Sequence, residues 1–131
     1  MKFPADVIIS ADTVVVIDGE ILGKPSDRRD AVRMLRKLSG REHEVITGLA
    51  VHGRTVHAKA VHTLVKFRKL TDNEISAYVM TGECDDKAGA YAVQGKGSLL
   101  IEGISGDYYN VVGLPLCTLC EILRLEGINL L

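Results

Sequence analysis

From Asp85 to Gly97 the chain reads D-D-K-A-G-A-Y-A-V-Q-G-K-G, placing acids, lysine, an amide and three glycines in one short segment. That mixture suits a polyanion site better than a core. Gly89, Gly95 and Gly97 can take positive φ and bring backbone N–H groups close to a ligand, while Lys87 supplies positive charge. The segment fits neither the P-loop nor the dinucleotide-binding spacing, so a glycine-rich turn between two strands stands as its alternative reading.

A second polar feature interrupts an apolar run. Val7 to Ile17 is largely β-branched, broken by Ser10-Ala11-Asp12-Thr13, and reads as a buried central strand. An aspartate between Val7-Ile8-Ile9 and Val14-Val15-Val16 is unfavourable to bury without a partner. Asp12 therefore either binds something or is satisfied by backbone donors at a bulge. Gly23-Lys24-Pro25 then delivers a lysine from a stiffened loop close in sequence to Asp12.

The elements that must position these residues alternate along the chain. Asp18-Gly19 is a hairpin signal leading into Ile21-Leu22. Asp27 can cap a helix whose Ala31, Met34, Leu35 and Leu38 share one face, with Gly40 as its stop. Strands are predicted over Val45 to His52 and Val56 to Phe67, joined at Gly53-Arg54. Thr71 and Glu74 form a capping box for a second helix. Leu99 to Ile101 reads as a short strand, Tyr108-Tyr109-Asn110 as a loop that could line a cleft, and Leu116, Leu119, Ile122 and Leu123 as the inner stripe of a last helix. The fold class is α/β: a mixed sheet with flanking helices, at least one antiparallel pair, and residues 1–131 in one domain.

Composition excludes several roles. With 131 residues, 47% hydrophobic and 25% charged, the chain is of ordinary globular composition, and its formal net charge of −1 gives no global attraction for nucleic acid or anionic membrane. No apolar run approaches a membrane span, which points to the cytoplasm. Cys84, Cys117 and Cys120 read as buried or half-buried packing residues. His43, His52, His57 and His62 lack companions at metal-binding spacing. Arg28 and Arg29 read as a solvated helix face.

Five blocks in order carry a resemblance: A-D-T-V-V at 11–15, D-G-x-I-L-G-K-P at 18–25, M-L-x-x-L-S-G-x-x-H-x-V-x-T-G at 34–48, D-K-A-G-A-Y-x-x-Q-G-x-G at 86–97 and G-D-Y-x-N-V-V-G-L-P-L at 106–116. Together they resemble the Maf family of nucleoside triphosphate pyrophosphatases. The resemblance implies an inosine triphosphatase-like fold with a central cleft. It also implies hydrolysis between the α- and β-phosphates with Mg²⁺ or Mn²⁺, and the glutamine at 94 is similar to the dTTP and UTP branch. By the same resemblance Asp12 is the proton acceptor; its chemistry also suits a metal ligand that positions the water, and Asp86 either holds the metal or orients Lys87. Lys24 and Lys87 neutralise phosphate charge, while Thr13, Gln94 and Gly95 contact substrate, the first two tuning base choice.

The family's opening S-x-S-P-R-R is not among the blocks found. The expectation is thus a chain lacking phosphate-binding arginines and part of the acidic metal shell, with a catalytically inactive nucleotide-binding or protein-interaction module as the alternative function. A sheet edge left open by such a loss is expected to drive self-association, for example as a homodimer.

Overall fold

The computed structural model describes residues 7–131. Strand β1 (Ile8–Ile17) turns at Asp18-Gly19 into β2 (Glu20–Leu22). Both turn residues have positive φ, 52° and 74°, the conformation in which a two-residue hairpin matches the twist of its strands. Arg41 forks onto the Asp18 carboxylate at 2.8 and 2.6 Å and holds that carboxyl below its usual range.

Helix α1 (Arg28–Leu38) starts at Asp27, whose side chain accepts from the Asp30 amide at 2.7 Å. Strands β3 (Glu42–His52) and β4 (Val56–Phe67) form the long hairpin. Helix α2 (Asp72–Met80) begins with the reciprocal Thr71–Glu74 capping box. Two 3₁₀ segments, Ala88–Ala90 and Gly95–Leu100, lead to β5 (Ile101–Ser105), and α3 (Tyr108–Val112) and α4 (Leu116–Leu125) complete the order.

The sheet runs β2-β1-β3-β4-β5, and every pairing among the described residues is antiparallel. Cross-strand partners share a face, so Val15, Val45 and Thr63 lie together, as do Thr13, Thr47 and Val61. This is the buried face. Val15, Ile17, Val45, Val65 and Phe67 pack with α1 and α2 in the larger apolar cluster, and Leu49 and Val51 pack with Leu119, Ile122 and Leu123 of α4 in a smaller one. The end of α4 is clipped to the β3–β4 turn by the Glu126 carboxylate, which accepts from the Arg54 amide at 2.7 Å and lies 2.9 Å from His57 Nε2. These hydrogen bonds, the Arg54 amide first, pull the Glu126 carboxyl down to about 2.

Several sequence expectations are corrected. β1 is not buried along its length: Ile8 to Asp12 are exposed. β2 pairs only with Val15 to Ile17, so the outer edge of β1 from Ile8 to Val14 has no neighbouring strand among the described residues. The strand expected at Leu99 begins only at Ile101, because the preceding amides of Lys96 and Gly97 donate to the Glu83 carboxylate instead of to a strand. Tyr108-Tyr109-Asn110 are helical, capped by Asp107, which accepts from the amides of Tyr109 and Asn110. In α4, Leu116 is exposed at the first turn and Cys117 is exposed on the side away from the Leu119–Ile122–Leu123 stripe, whereas Cys84 is buried and Cys120 half-buried.

His43 enters β3 inside the core, 2% exposed. Its Nε2 is 2.7 Å from the Tyr91 hydroxyl, and the Phe67 and Tyr91 rings meet it edge-on. Burial pulls its pKa from 6.5 down to about 4. The unfolded chain therefore binds a proton near pH 6.5 that the folded chain refuses until about pH 4. The resulting stability is complete above pH 6.5 and falls toward pH 4, by up to about 3 kcal/mol. Urea midpoints should drop in that window, and His43→Leu should flatten the drop; identical pH slopes in the two proteins would remove His43 from this role.

Candidate functional site

A cavity of about 350 Å³ lies along the open edge of β1. Ala11 to Val15 form one wall, Gly23-Lys24 and Asp86-Lys87-Ala88 another, and Val45, Tyr91 and Val111 to Gly113 complete the lining. Strand alternation turns Ala11, Thr13 and Val15 toward the helix-covered face and Asp12 and Val14 the other way. Because no strand covers this edge among the described residues, residues of both parities line the cavity.

The fold thus brings together five of the residues singled out in the sequence: Asp12, Thr13, Lys24, Asp86 and Lys87. Asp12, Lys24, Asp86 and Lys87 are exposed and Thr13 is half-buried, so the premise of a buried Asp12 carboxylate does not hold. Its side chain is exposed at the cavity, within reach of a ligand. Lys87 Nζ stands 3.9 Å from Asp86 Oδ1, a loose surface contact that contributes little stability.

One main-chain hydrogen bond joins the two lysine-bearing segments: the Gly89 amide donates to the Gly23 carbonyl at 3.1 Å. Gly89 has φ 72°, and a β-carbon there would come within 2.8 Å of Val15 Cγ2. Ala90 follows in the same left-handed region, φ 63°, a strained conformation for a residue with a side chain. The close approach of this turn to β1 sets Asp86-Lys87 opposite Asp12.

Gln94 and Gly95 do not line this cavity. Both are exposed, at the start of the 3₁₀ segment that Glu83 organises. The Glu83 carboxylate accepts from the Lys96 amide (3.1 Å), the Gly97 amide (2.9 Å) and the Tyr78 hydroxyl (2.8 Å). Burial raises the Glu83 pKa, but these hydrogen bonds outweigh it and leave the carboxyl below its usual range. Gly97 needs no positive φ; a β-carbon there would collide with the Ala92 carbonyl. Asp85, beside Asp86 in sequence, is drawn off to Arg28 at 3.7 Å and is not part of the lining. Among the histidines, His57 meets Glu126 and His62 meets Glu44.

Sequence reasoning did not find Tyr91 or Val111 to Gly113 as cavity walls, nor Thr47 behind them. The Tyr91 position lay in plain view within the glycine block. Tyr108, Tyr109 and Asn110, expected at the cleft, are not in the lining; Asn110 is buried and bonded to two strands distant in sequence.

A family model described as Maf-like protein matches residues 2–126. The chain belongs to the Maf family. Proteins of this family named dTTP/UTP pyrophosphatase include one from Geobacter metallireducens, 58% identical over 122 residues that cover 91% of this chain and 64% of that protein. Another, from Dictyoglomus turgidum, is 55% identical over 128 residues, covering 95% of this chain and 66% of that protein. A third, from Geobacter sulfurreducens, is 60% identical over 122 residues, covering 91% and 64%. The chain spans just under two thirds of the length of these relatives.

Gly89→Ala would add a β-carbon against Val15 in a left-handed backbone. We expect a stability loss of at least about 1 kcal/mol, read from denaturant midpoints. An unchanged midpoint would show that the turn relaxes freely and does not fix Asp86-Lys87.

Proposed function

We propose that this chain acts on a nucleoside triphosphate of uracil or thymine, releasing pyrophosphate and the monophosphate. The observation that carries this reading is the meeting of Asp12, Lys24, Asp86 and Lys87 on one cavity, supported by the names of the relatives. A triphosphate carries about four negative charges, and two lysines with mobile ammonium groups can neutralise part of that charge as the bridging P–O bond breaks. Asp12 accepts the proton of the attacking water while that water's oxygen bonds to phosphorus and the pyrophosphate leaves. Tyr91 and Val111 to Gly113 provide apolar surface beside the polar groups, as small-molecule sites require.

The donor set also fits a divalent cation. Asp12 and Asp86 are exposed, hard carboxylate ligands on one cavity, and magnesium characteristically binds through one or two carboxylates with phosphate oxygens and water filling the remaining positions. Among the described residues no cluster of three or more His, Cys, Asp or Glu side chains converges. Mg²⁺ or Mn²⁺ held there would offset the negative charge of the phosphates and polarise the attacking water. Gln94 and Gly95 keep the base- and substrate-contacting roles implied by resemblance only if substrate extends beyond the cavity lining to the 3₁₀ segment.

A second reading, binding without turnover, is favoured by the absence of any arginine from the cavity lining among the described residues. Asp12→Asn separates the two. The pyrophosphatase reading requires it to reduce turnover at least ten-fold, equivalent to about 1.4 kcal/mol of barrier, while nucleotide still binds. Turnover above a tenth of the parent would exclude Asp12 as base, and nucleotide binding with no pyrophosphate release from the parent would establish the second reading.

We place the protein in the cytoplasm; among the described residues no helix is long and apolar enough to cross a membrane. We also propose self-association along the open edge of β1, where Ile8 is 63% and Ile9 43% exposed. Light scattering after size exclusion should give more than one chain per particle, and a monomer at all soluble concentrations would refute it.

A further inference from the structure

Thr47 lies outside the cavity lining, and the chemistry above makes no use of its hydroxyl. It is fully buried, 0% exposed. Across the β1–β3 pair it is the register partner of Thr13, and the two side-chain oxygens are 2.8 Å apart. On its other side, Thr47 Oγ1 lies 3.3 Å from the main-chain carbonyl oxygen of Asn110.

Either threonine can donate in the 2.8 Å contact. A hydroxyl has one proton to donate, and a carbonyl has none. Both contacts carry a proton only when Thr13 donates to Thr47 and Thr47 to Asn110. In the reverse direction Thr47 would face the Asn110 oxygen without a proton, and that carbonyl would keep only the Gly113 amide, at 3.1 Å. Thr13 lines the cavity, and with its proton directed inward it offers the cavity lone pairs alone.

The far end of the chain is held by several contacts. The Asn110 carboxamide nitrogen is within 3.2 Å of the Val45 carbonyl, 2.9 Å of the Val61 carbonyl and 3.1 Å of Thr63 Oγ1. Thr63 Oγ1 in turn donates to the Asp107 carbonyl at 3.1 Å. Asn110 is itself fully buried, so its carbonyl keeps its place behind Thr47.

We propose that Thr47 is a specificity-determining positioning residue: by accepting the proton of Thr13 it makes that point of the cavity an acceptor, which takes an N–H or O–H donor from the ligand and disfavours a lone pair. The proposal rests on the nucleotide reading above. In uracil and thymine the imide N3–H is such a donor, whereas cytosine has a lone pair at N3. Sugar hydroxyls share the same donor chemistry.

Two measurements on the full chain test it. Neutron diffraction from crystals exchanged into deuterium oxide should place the Thr13 deuteron between the two threonine oxygens and the Thr47 deuteron toward Asn110. The opposite placement overturns the proposal whether or not any nucleotide is hydrolysed. The second measurement compares kcat/KM for UTP, 3-methyl-UTP and 2′,3′-dideoxyuridine triphosphate, the analogues removing the base donor and the sugar donors in turn. The parent should disfavour one analogue by about ten-fold, as loss of one hydrogen bond with an acceptor left unpaired predicts. Thr47→Val should shrink that preference to about two-fold, and Thr47→Ser should restore it. A uniform loss with the preference intact would assign Thr47 to packing and refute the proposal. If the parent hydrolyses nothing, the pyrophosphatase reading fails, and the neutron result alone decides the polarity of Thr13.

Discussion

Gly89 lies against Val15 with no space for a β-carbon, and its amide donates to the Gly23 carbonyl. That contact is the constraint on which the site depends. Lys24 follows a short strand near the start of the chain, and Lys87 belongs to a turn more than sixty residues later. Neither has a structural reason to approach the other, and their like charges oppose it. A backbone hydrogen bond and a van der Waals contact to a core valine hold them on one cavity. The strain of a left-handed Ala90 beside Gly89 is tolerated because Ala90 is wholly buried in the larger apolar cluster, whose packing leaves the turn no alternative path.

Behind the cavity the core is polar where a purely stabilising design would be apolar. Thr13, Thr47, Thr63 and Asn110 cross β1, β3, β4 and α3 in one connected set of hydrogen bonds. The Asn110 side-chain oxygen remains buried without a partner, a destabilising feature that apolar residues of similar size would remove. Such a network fixes direction as well as distance, which packing by valine and leucine cannot do. It also seats the five-residue helix α3, too short to be stable alone, so that Val111 to Gly113 form a wall of the cavity.

Much of the architecture was legible because local rules and tertiary packing agreed. The Asp18-Gly19 turn, the Asp27 cap, the Thr71–Glu74 capping box and the strand Val56 to Phe67 all appear where side-chain chemistry places them. Disagreement arose where a distant group claimed a backbone donor. Glu83 takes the amides of Lys96 and Gly97, and Gly95 to Leu100 forms 3₁₀ structure where a strand was expected to begin, while Asp107 turns an aromatic loop into a helix. Burial of Asp12 was misjudged because the hydrophobic run around it reports strand propensity and not the presence of a covering neighbour.

The sequence by itself determined which residue types were available for phosphate chemistry, and its ordered blocks pointed to the family, because motif identity is local and survives without coordinates. It also settled the antiparallel hairpins through turn chemistry. Only the tertiary structure decided that Asp12, Lys24, Asp86 and Lys87 share one cavity while Gln94 and Gly95 lie outside its lining. Only it decided that Thr13 lies on the cavity and against the buried Thr47. Those outcomes depend on which strand edge stays uncovered among the described residues and on which side chains the strand register pairs, and both are fixed by contacts between segments far apart in the chain.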